Sequence, residues 1–399
     1  MSQFLRSLKI NNLLSFGPDS PAMEFGPLNV IIGPNGSGKS NLFDVLALLK
    51  NAPGEFDKPI RESGCPLSEW LWKRETDKKD HSKIEVMVSN YRHFILFCEK
   101  EKLLNIVDEH IENCEQPGKL EYYGKDTYRD KYYASSYVTQ LPPSLPVLPD
   151  RLPRWFNSDE ERNNYPNLSA LSRFSGKGTF PELAKLSENY QSIYIYNNWT
   201  FGRKSPLRFP QLAYQPNKWL NEDGSNFYVV LKKIKEDKES HSRYLEFLKQ
   251  LYEDVDDYEI VQLDHLISIK LVEGENRILA SRLSDGTLRY MMLLAVLCDP
   301  EPPPLICIEE PEMGLHPDLI MVMGNALKYA SERTQVIATT HSVRLVDCFN
   351  DSPEVIQVCE KHDGSTIIER LDPEYLKPWL EKYRLGELWT RGGIGGNRW

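Results

Sequence analysis

The stretch GPNGSGKS, residues 33–40, constrains the fold of this 399-residue chain more than any other. It matches G-x-x-x-x-G-K-[ST]. It lies between an apolar run, LNVII (28–32), and NLFDVLALLK (41–50), where apolar residues recur at helical spacing. In such a strand–loop–helix turn, glycines let the backbone curl until successive N–H groups point at phosphate oxygens. The helix N-terminus adds a favourable partial charge. Gly33, Pro34, Asn35, Gly36, Ser37, Gly38, Lys39, Ser40 and Asn41 are therefore expected to hold ATP. Lys39 would bridge the β- and γ-phosphates, and the Ser40 hydroxyl would coordinate Mg²⁺. The competing reading is a glycine-rich turn that merely contains Lys-Ser, and the flanking strand and helix patterns argue against it.

A loop of this kind needs an acidic partner on a neighbouring strand. LICIEEPEMGLHP (305–317) supplies one. Four apolar residues read as a buried parallel strand, and two carboxylates emerge at its carboxyl end, where open α/β sheets bind ligands. Glu309 would orient the water shell of Mg²⁺, and Glu310 would polarise the attacking water. Direct metal binding by Glu309, Glu310, Glu312 and His316 together is the chemical alternative. His316 precedes Pro317, however, and reads as the turn into the next helix.

Hydrophobic content of 40% and charged content of 27% describe an ordinary globular chain with a core large enough for two to three domains. The net charge of −10 argues against a broadly basic, nucleic-acid-coating surface but leaves room for one positive groove. MSQFLRSLKI has no apolar h-region, and no apolar run approaches the roughly 18–20 residues that span a bilayer. The seven cysteines show no Cys-x-x-Cys spacing. The expectation is a cytoplasmic protein with reduced thiols, no zinc and no membrane partner.

Residues 1–50 read as compact α/β, and KIEVMVS, YRHFILFCE and LLNIVDE as antiparallel strands. LPPSLPVLPDRLP (141–153) forbids helix or central strand. Helical spacing returns over 226–252 with a polar break near Glu239–Ser242, and α/β patterning resumes at 281. The expected division is an N-terminal half of one α/β domain (1–115), an inserted region that is irregular and then helical (116–280), the second half (281–370) and a tail (371–399). Internal repeats and sustained heptads are absent from the sequence, and the prolines exclude one long coiled coil.

Two further stretches fall in order with the phosphate loop. LSDGTLRY (283–290) places Ser284, Asp285 and Gly286 just before an amphipathic helix, and TTHS (339–342) places His341 at the end of an apolar strand. Alone, the first reads as a helix cap and the second as a structural histidine. With GPNGSGKSN and the acid pair they resemble the ABC-type ATPase set: Walker A, signature, Walker B with catalytic glutamate, and switch histidine. In the EEPE-x-GLHP and TTHS forms, and in the early strand ending at Ser15-Phe16, the chain is similar to the RecF/SMC-like branch. It resembles in particular the stand-alone bacterial AAA-family ATPases related to OLD proteins, of the anti-phage defence type. The closing GELWTRGGIGGNRW is typical of one group of these. Residues 1–50 and 281–370 carry the resemblance, and the middle adds only YNNWTFGRKSPLR and NEDGSN.

The resemblance implies an α/β, ABC-type P-loop ATPase head. Its mixed sheet would be flanked by helices and joined by an antiparallel β subdomain, with a large inserted helical and irregular region. It implies Mg²⁺-dependent hydrolysis of ATP to ADP and phosphate, with Glu310, His341 and Lys39 as catalytic residues. Ser284, Asp285 and Gly286 of one subunit would close in trans over ATP on the other, while His341 senses the γ-phosphate in cis. The partners implied are a second copy, in a homodimer or higher oligomer, and a separately encoded effector such as a nuclease. A nucleic-acid-binding repair ATPase is the alternative. Glu309 stands where Asp is more common. Gln211, with Gln191 as its rival, is the candidate Q-loop glutamine. A transporter head is disfavoured by the large insertion and by the loop after the acid pair. Beyond His341 the chain is too short for the nuclease domain fused to OLD proteins and carries no Asp-x-Asp cluster. KLEYYGKDTYRDKYYASSY (119–137) reads as a mixed-charge surface or as a base-stacking one. The glycines between Trp389 and Trp399 are expected to dock onto the head or onto a partner.

Overall fold

Runs with no polar alternation, such as LNVII and LICI, suit strands that are covered on both faces. The computed structural model describes residues 3–73, 81–115, 124–126, 131–133, 167–174, 181–197, 199–216, 218–251 and 253–396, and it places both runs in one central sheet. The chain begins with β1 (Leu5–Asn11), β2 (Met23–Glu24), β3 (Leu28–Ile32), α1 (Lys39–Asn51) and the short α2 (Lys58–Glu62). Three long strands follow, β4 (Ser82–Val88), β5 (Tyr91–Lys100) and β6 (Leu103–Asn113), then the small pair β7 (Gly124–Asp126) and β8 (Lys131–Tyr133). Helices α3 (Ala170–Phe174) and α4 (Pro181–Gln191) lead into β9 (Ile193–Tyr196). Next come β10 (Gln211–Leu212), α5 (Phe227–Glu236), α6 (Lys238–Lys249), β11 (Asp257–Leu263), β12 (Leu266–Glu273) and β13 (Asn276–Leu279). The last part runs α7 (Asp285–Leu297), β14 (Leu305–Glu309), α8 (Leu319–Ser331), β15 (Gln335–Thr340), α9 (Val343–Asp347), β16 (Ile356–His362), β17 (Ser365–Arg370), α10 (Pro373–Leu380) and α11 (Leu385–Thr390).

The central sheet has the order β17-β16-β3-β15-β14-β9 and is parallel except for the edge strand β17. Alternate side chains of its inner strands enter two separate cores. Val30, Ile32, Ile306 and Ile308 face the core shared with α5–α8, while Ile31, Leu305 and Cys307 face the one shared with α1 and the antiparallel lobe β2-β1-β4-β5-β6. Both carboxyl-end loops, 33–38 and 310–317, consequently open on the same edge of a sheet that is held rigid from both sides. Among the described residues, no helix is long and apolar enough to cross a membrane.

Three expectations need correction: the inserted stretch 116–280, expected to be irregular and then helical, also carries the antiparallel strands β10–β13. Residues 193–196 lie inside the stretch set apart by the sequence as inserted, yet they pair in parallel with β14 and complete the central sheet. A four-residue run, IYIY, is too short for periodicity to separate it from a turn. The helical run over 226–252 breaks at Asp237, before Glu239–Ser242. Asp237 has extended backbone (ψ 113°), and its carboxylate caps the Ser240 N–H at 2.8 Å. The NEDGSN stretch is a packing hub: Asn226 is fully buried and holds the Pro216 and Trp219 carbonyls, while Glu222 joins Lys50 of α1 to the Ile195 N–H of β9. LPPSLPVLPDRLP lies outside the described residues, as do 13 of the 19 residues of KLEYYGKDTYRDKYYASSY, the rest being β7 and β8.

Candidate functional site

The phosphate loop leaves β3 and is pinned from beneath. Thr366 Oγ1 on β17 donates to the Ser37 carbonyl (2.6 Å) and shares a hydrogen bond with Ser15 Oγ (2.7 Å), which accepts from Asn41 Nδ2 (2.7 Å). Gly38 is left-handed (φ +112°), and a Cβ there would collide with these same Thr366 and Ser15 hydroxyls, so only glycine fits. Asn35, Gly36 and Ser40 are exposed along the loop's open side. Lys39 is buried, and its ammonium donates to the Gly33 and Pro34 carbonyls at 2.9 and 3.0 Å. Burial pushes its pKa below the usual lysine value, with Glu310 and Glu309 opposing.

The two halves of the chain meet at Ser40. Its hydroxyl donates to Glu309 Oε1, joining residues 269 positions apart. Glu310 has a left-handed backbone (φ +47°), rare for a residue with a Cβ. It is held there by its amide on the Thr339 carbonyl (3.0 Å) and by its carbonyl, which accepts Met313 N–H (3.0 Å) and Arg289 Nη2 (3.1 Å). The Glu310 carboxylate lies 3.5 Å from His341 Nε2. Burial, and then the charge on Lys39, lower the pKa of His341 against the pull of Glu310, leaving a neutral imidazole at neutral pH.

The four residues of the direct-metal alternative do not converge. Glu312 turns inward, accepting from the Thr340 hydroxyl and from the His341 N–H (3.1 Å), while His316 is exposed beside Asp318. Among the described residues no group of three His, Cys, Asp or Glu side chains is placed to hold a metal. Glu312 thus braces the switch segment and does not face outward with His316. Pro311 and the left-handed Glu310 reverse the chain and aim the Glu312 carboxylate back at the end of β15.

Ser284 is exposed and caps α7, its Oγ accepting the Thr287 N–H at 3.1 Å. Asp285 is held by Arg208 (2.5 Å), which also donates to the Leu283 and Ser281 carbonyls. Gly286 packs against the Gly314 carbonyl, 2.9 Å from where a Cβ would stand. One turn further on, the Arg289 guanidinium reaches the Glu310 carbonyl and lies over the Trp199 and Phe201 rings (5.8 and 5.7 Å). Sequence reasoning missed Arg289, although a lone charge in an apolar helix, LRYMMLLAVLC, was a signal that it needed a partner.

Neither Q-loop candidate reaches this edge. Gln211 is buried with both ends of its amide used, on the Gly224 carbonyl (3.0 Å) and the Tyr228 N–H (3.1 Å). Gln191 precedes β9 at the amino end of the parallel strands, whereas Glu309 lies at their carboxyl end. The segment at the carboxyl end of β9 begins with Asn197 and includes Trp199.

Asp44, one turn into α1, was also missed. Burial, with the charge on Glu309 adding to it, raises its pKa to about 6. A folded-state pKa above the unfolded one means that Asp44 costs stability as the pH rises from about 4 through 6. Asp44→Asn is expected to raise the melting temperature of nucleotide-free protein at pH 8 by about 2 °C and to leave it nearly unchanged at pH 4. Equal effects at both values would rule out this penalty on the buried Asp44 charge.

No curated protein is recognisably similar to the chain. Among solved structures, an SMC head bound to the C-winged helix domain of ScpA aligns with a TM-score of 0.52 at 13% identity, covering 93% of this chain and 99% of that one. The SMC head domain from Thermotoga maritima aligns at 0.40 and 17% identity, covering 93% and 100%. An SMC head with an extended coiled coil, bound to the C-terminal domain of ScpA derived from Pyrococcus furiosus, aligns at 0.46 and 13%, covering 95% and 99%. The first of these establishes likeness of fold, that of an ABC-type ATPase head. The family described as "AAA domain, putative AbiEii toxin, Type IV TA system" matches residues 28–89 and 147–347, about two-thirds of the sequence. The chain belongs to this AAA-domain ATPase family.

Proposed function

We propose that this protein is an Mg²⁺-dependent ATPase that closes head to head on ATP with a second copy of itself. It would serve as the sensor and scaffold subunit of a bacterial anti-phage or toxin-type system controlling a separately encoded effector, such as a nuclease. The meeting of Ser40 with Glu309 carries the ATPase part. A hydroxyl and a carboxylate from opposite ends of the chain converge beside the phosphate loop, the donor pair that Mg²⁺ on a triphosphate takes. Bound there, the ion would draw off charge developing on the β- and γ-phosphate oxygens. Lys39 would exchange the Gly33 and Pro34 carbonyls for phosphate oxygens, which its buried ammonium favours over water. Glu310 would take the proton of the attacking water, and neutral His341 would donate from Nε2 to the γ-phosphate.

Dimerisation is supported by Ser284, exposed at the N-terminus of a 13-residue helix, where its hydroxyl and nearby N–H groups suit a phosphate held by another subunit. The toxin-type role is supported by the description of the family. Light scattering with Mg²⁺ and a non-hydrolysable ATP analogue should show the mass of a dimer for the natural chain and of a monomer for Ser284→Arg. A natural chain that stays monomeric sinks the dimer. Glu310→Gln protein captured with ATP from the native host should bring down one effector protein; recovery of DNA alone would move the assignment to repair.

A further inference from the structure

The segment 391–396 runs back from α11 along β16 to the phosphate loop. Gly392 turns left-handed (φ +77°), and its amide donates to the Trp389 carbonyl (3.0 Å) while that of Gly393 donates to Leu388 (2.8 Å). Gly395 and Gly396 are left-handed too, at φ +74° and +71°. The Gly396 N–H donates to Glu360 Oε1 (2.5 Å), and its carbonyl accepts the buried Trp389 indole N–H (2.9 Å). A Cβ at Gly396 would stand 2.8 Å from Val358 Cγ1, 3.1 Å from Trp389 Nε1 and 3.7 Å from Gly33 Cα. Gly33 opens the phosphate loop, and a Cβ on it would strike the Cys359 carbonyl. The first residue of the loop is therefore walled by β16 and by the C-terminal glycines, all of them held in hydrogen bonds.

We propose that residues 392–396 are a positioning element of the nucleotide site. Their docking packs Gly396 against Gly33, whose carbonyl holds Lys39 together with that of Pro34, and so sets ATP affinity from the far end of the chain. The proposal rests on the ATP-site reading above. By linkage, docking and ATP binding strengthen each other by the same factor. Left-handed backbone and crowding make Gly396 intolerant of a side chain, whereas Glu360→Gln weakens the hydrogen bond to the Gly396 N–H and an exposed contact with His362 Nε2 (3.2 Å).

The test measures Mg²⁺–ATP binding calorimetrically, together with steady-state hydrolysis. Gly396→Ala should weaken ATP binding roughly tenfold and Glu360→Gln about threefold. KM should rise in step while kcat stays within about twofold, a split that loss of stability alone would not produce. A chain stopped after Thr390 should match Gly396→Ala. Amide exchange at 392–396 should slow when ATP is bound. Natural affinity in both Gly396→Ala and the shortened chain overturns the proposal. If instead the natural chain binds no ATP, or Lys39→Ala binds it equally well, it is the ATP-site reading that fails.

Discussion

Glu310→Gln is expected to slow ATP hydrolysis by about 100-fold or more while ATP affinity stays within about threefold. Glutamine keeps the size and the acceptor oxygen of glutamate but cannot take a proton from water. The backbone at this position does not depend on the carboxylate. Its left-handed turn is set by main-chain bonds to Thr339 and Met313 and by Arg289, all of which survive the change. Strain held by its surroundings in this way is typical of a residue aimed at chemistry. Single-turnover hydrolysis measured beside equilibrium binding separates the two effects. A variant that keeps a third of the natural rate would remove Glu310 as the base.

Lys39→Ala is expected to cost about 100-fold or more in ATP affinity without destabilising the nucleotide-free fold. The ammonium is buried against two neutral carbonyls, and its lowered pKa shows that the folded state disfavours the charge. The sign follows from linkage: a lysine with a depressed folded pKa costs stability at neutral pH, and that cost fades as the pH rises towards 10.5. Removing it relieves a burial penalty and deletes the charge that triphosphate needs. Thermal melts should show equal or higher stability for nucleotide-free Lys39→Ala, and a rise with Mg²⁺–ATP only for the natural chain. A full nucleotide-induced rise in the variant would show that Lys39 does not bind phosphate.

Legibility from sequence followed locality. The phosphate loop, the acid pair and the capped start of α7 were readable because each lies within one short segment whose glycines or carboxylates have a single physical purpose. The strands over 82–113 were readable from alternation. Arg289, Glu312, Thr366 and Ser15 were not, because each acts on a residue far away in sequence, and a helical arginine or strand threonine has no local mark of its target. Gln211 misled for the same reason: a glutamine on a short strand looks available until the fold shows its amide closed on Gly224 and Tyr228. β9 escaped because a four-residue edge strand owes its place to β14, which is more than a hundred residues downstream.

The order of the central sheet also bears on how the chain emerges from a ribosome. Among the described residues, strand β3 pairs only with β15 and β16, and Ser40 meets Glu309 across 269 residues. At roughly 5–20 residues per second, the phosphate loop waits about 15–50 s for its acidic partner. During that interval LNVII is an apolar strand with two open edges, the kind of segment that pairs with other chains. The antiparallel lobe and α1 can close over one face of it early, since their residues all lie before 114. Its edges stay open until the second half arrives, so the nascent protein is most dependent on chaperones, and least able to turn over nucleotide, through about the middle two-thirds of its synthesis.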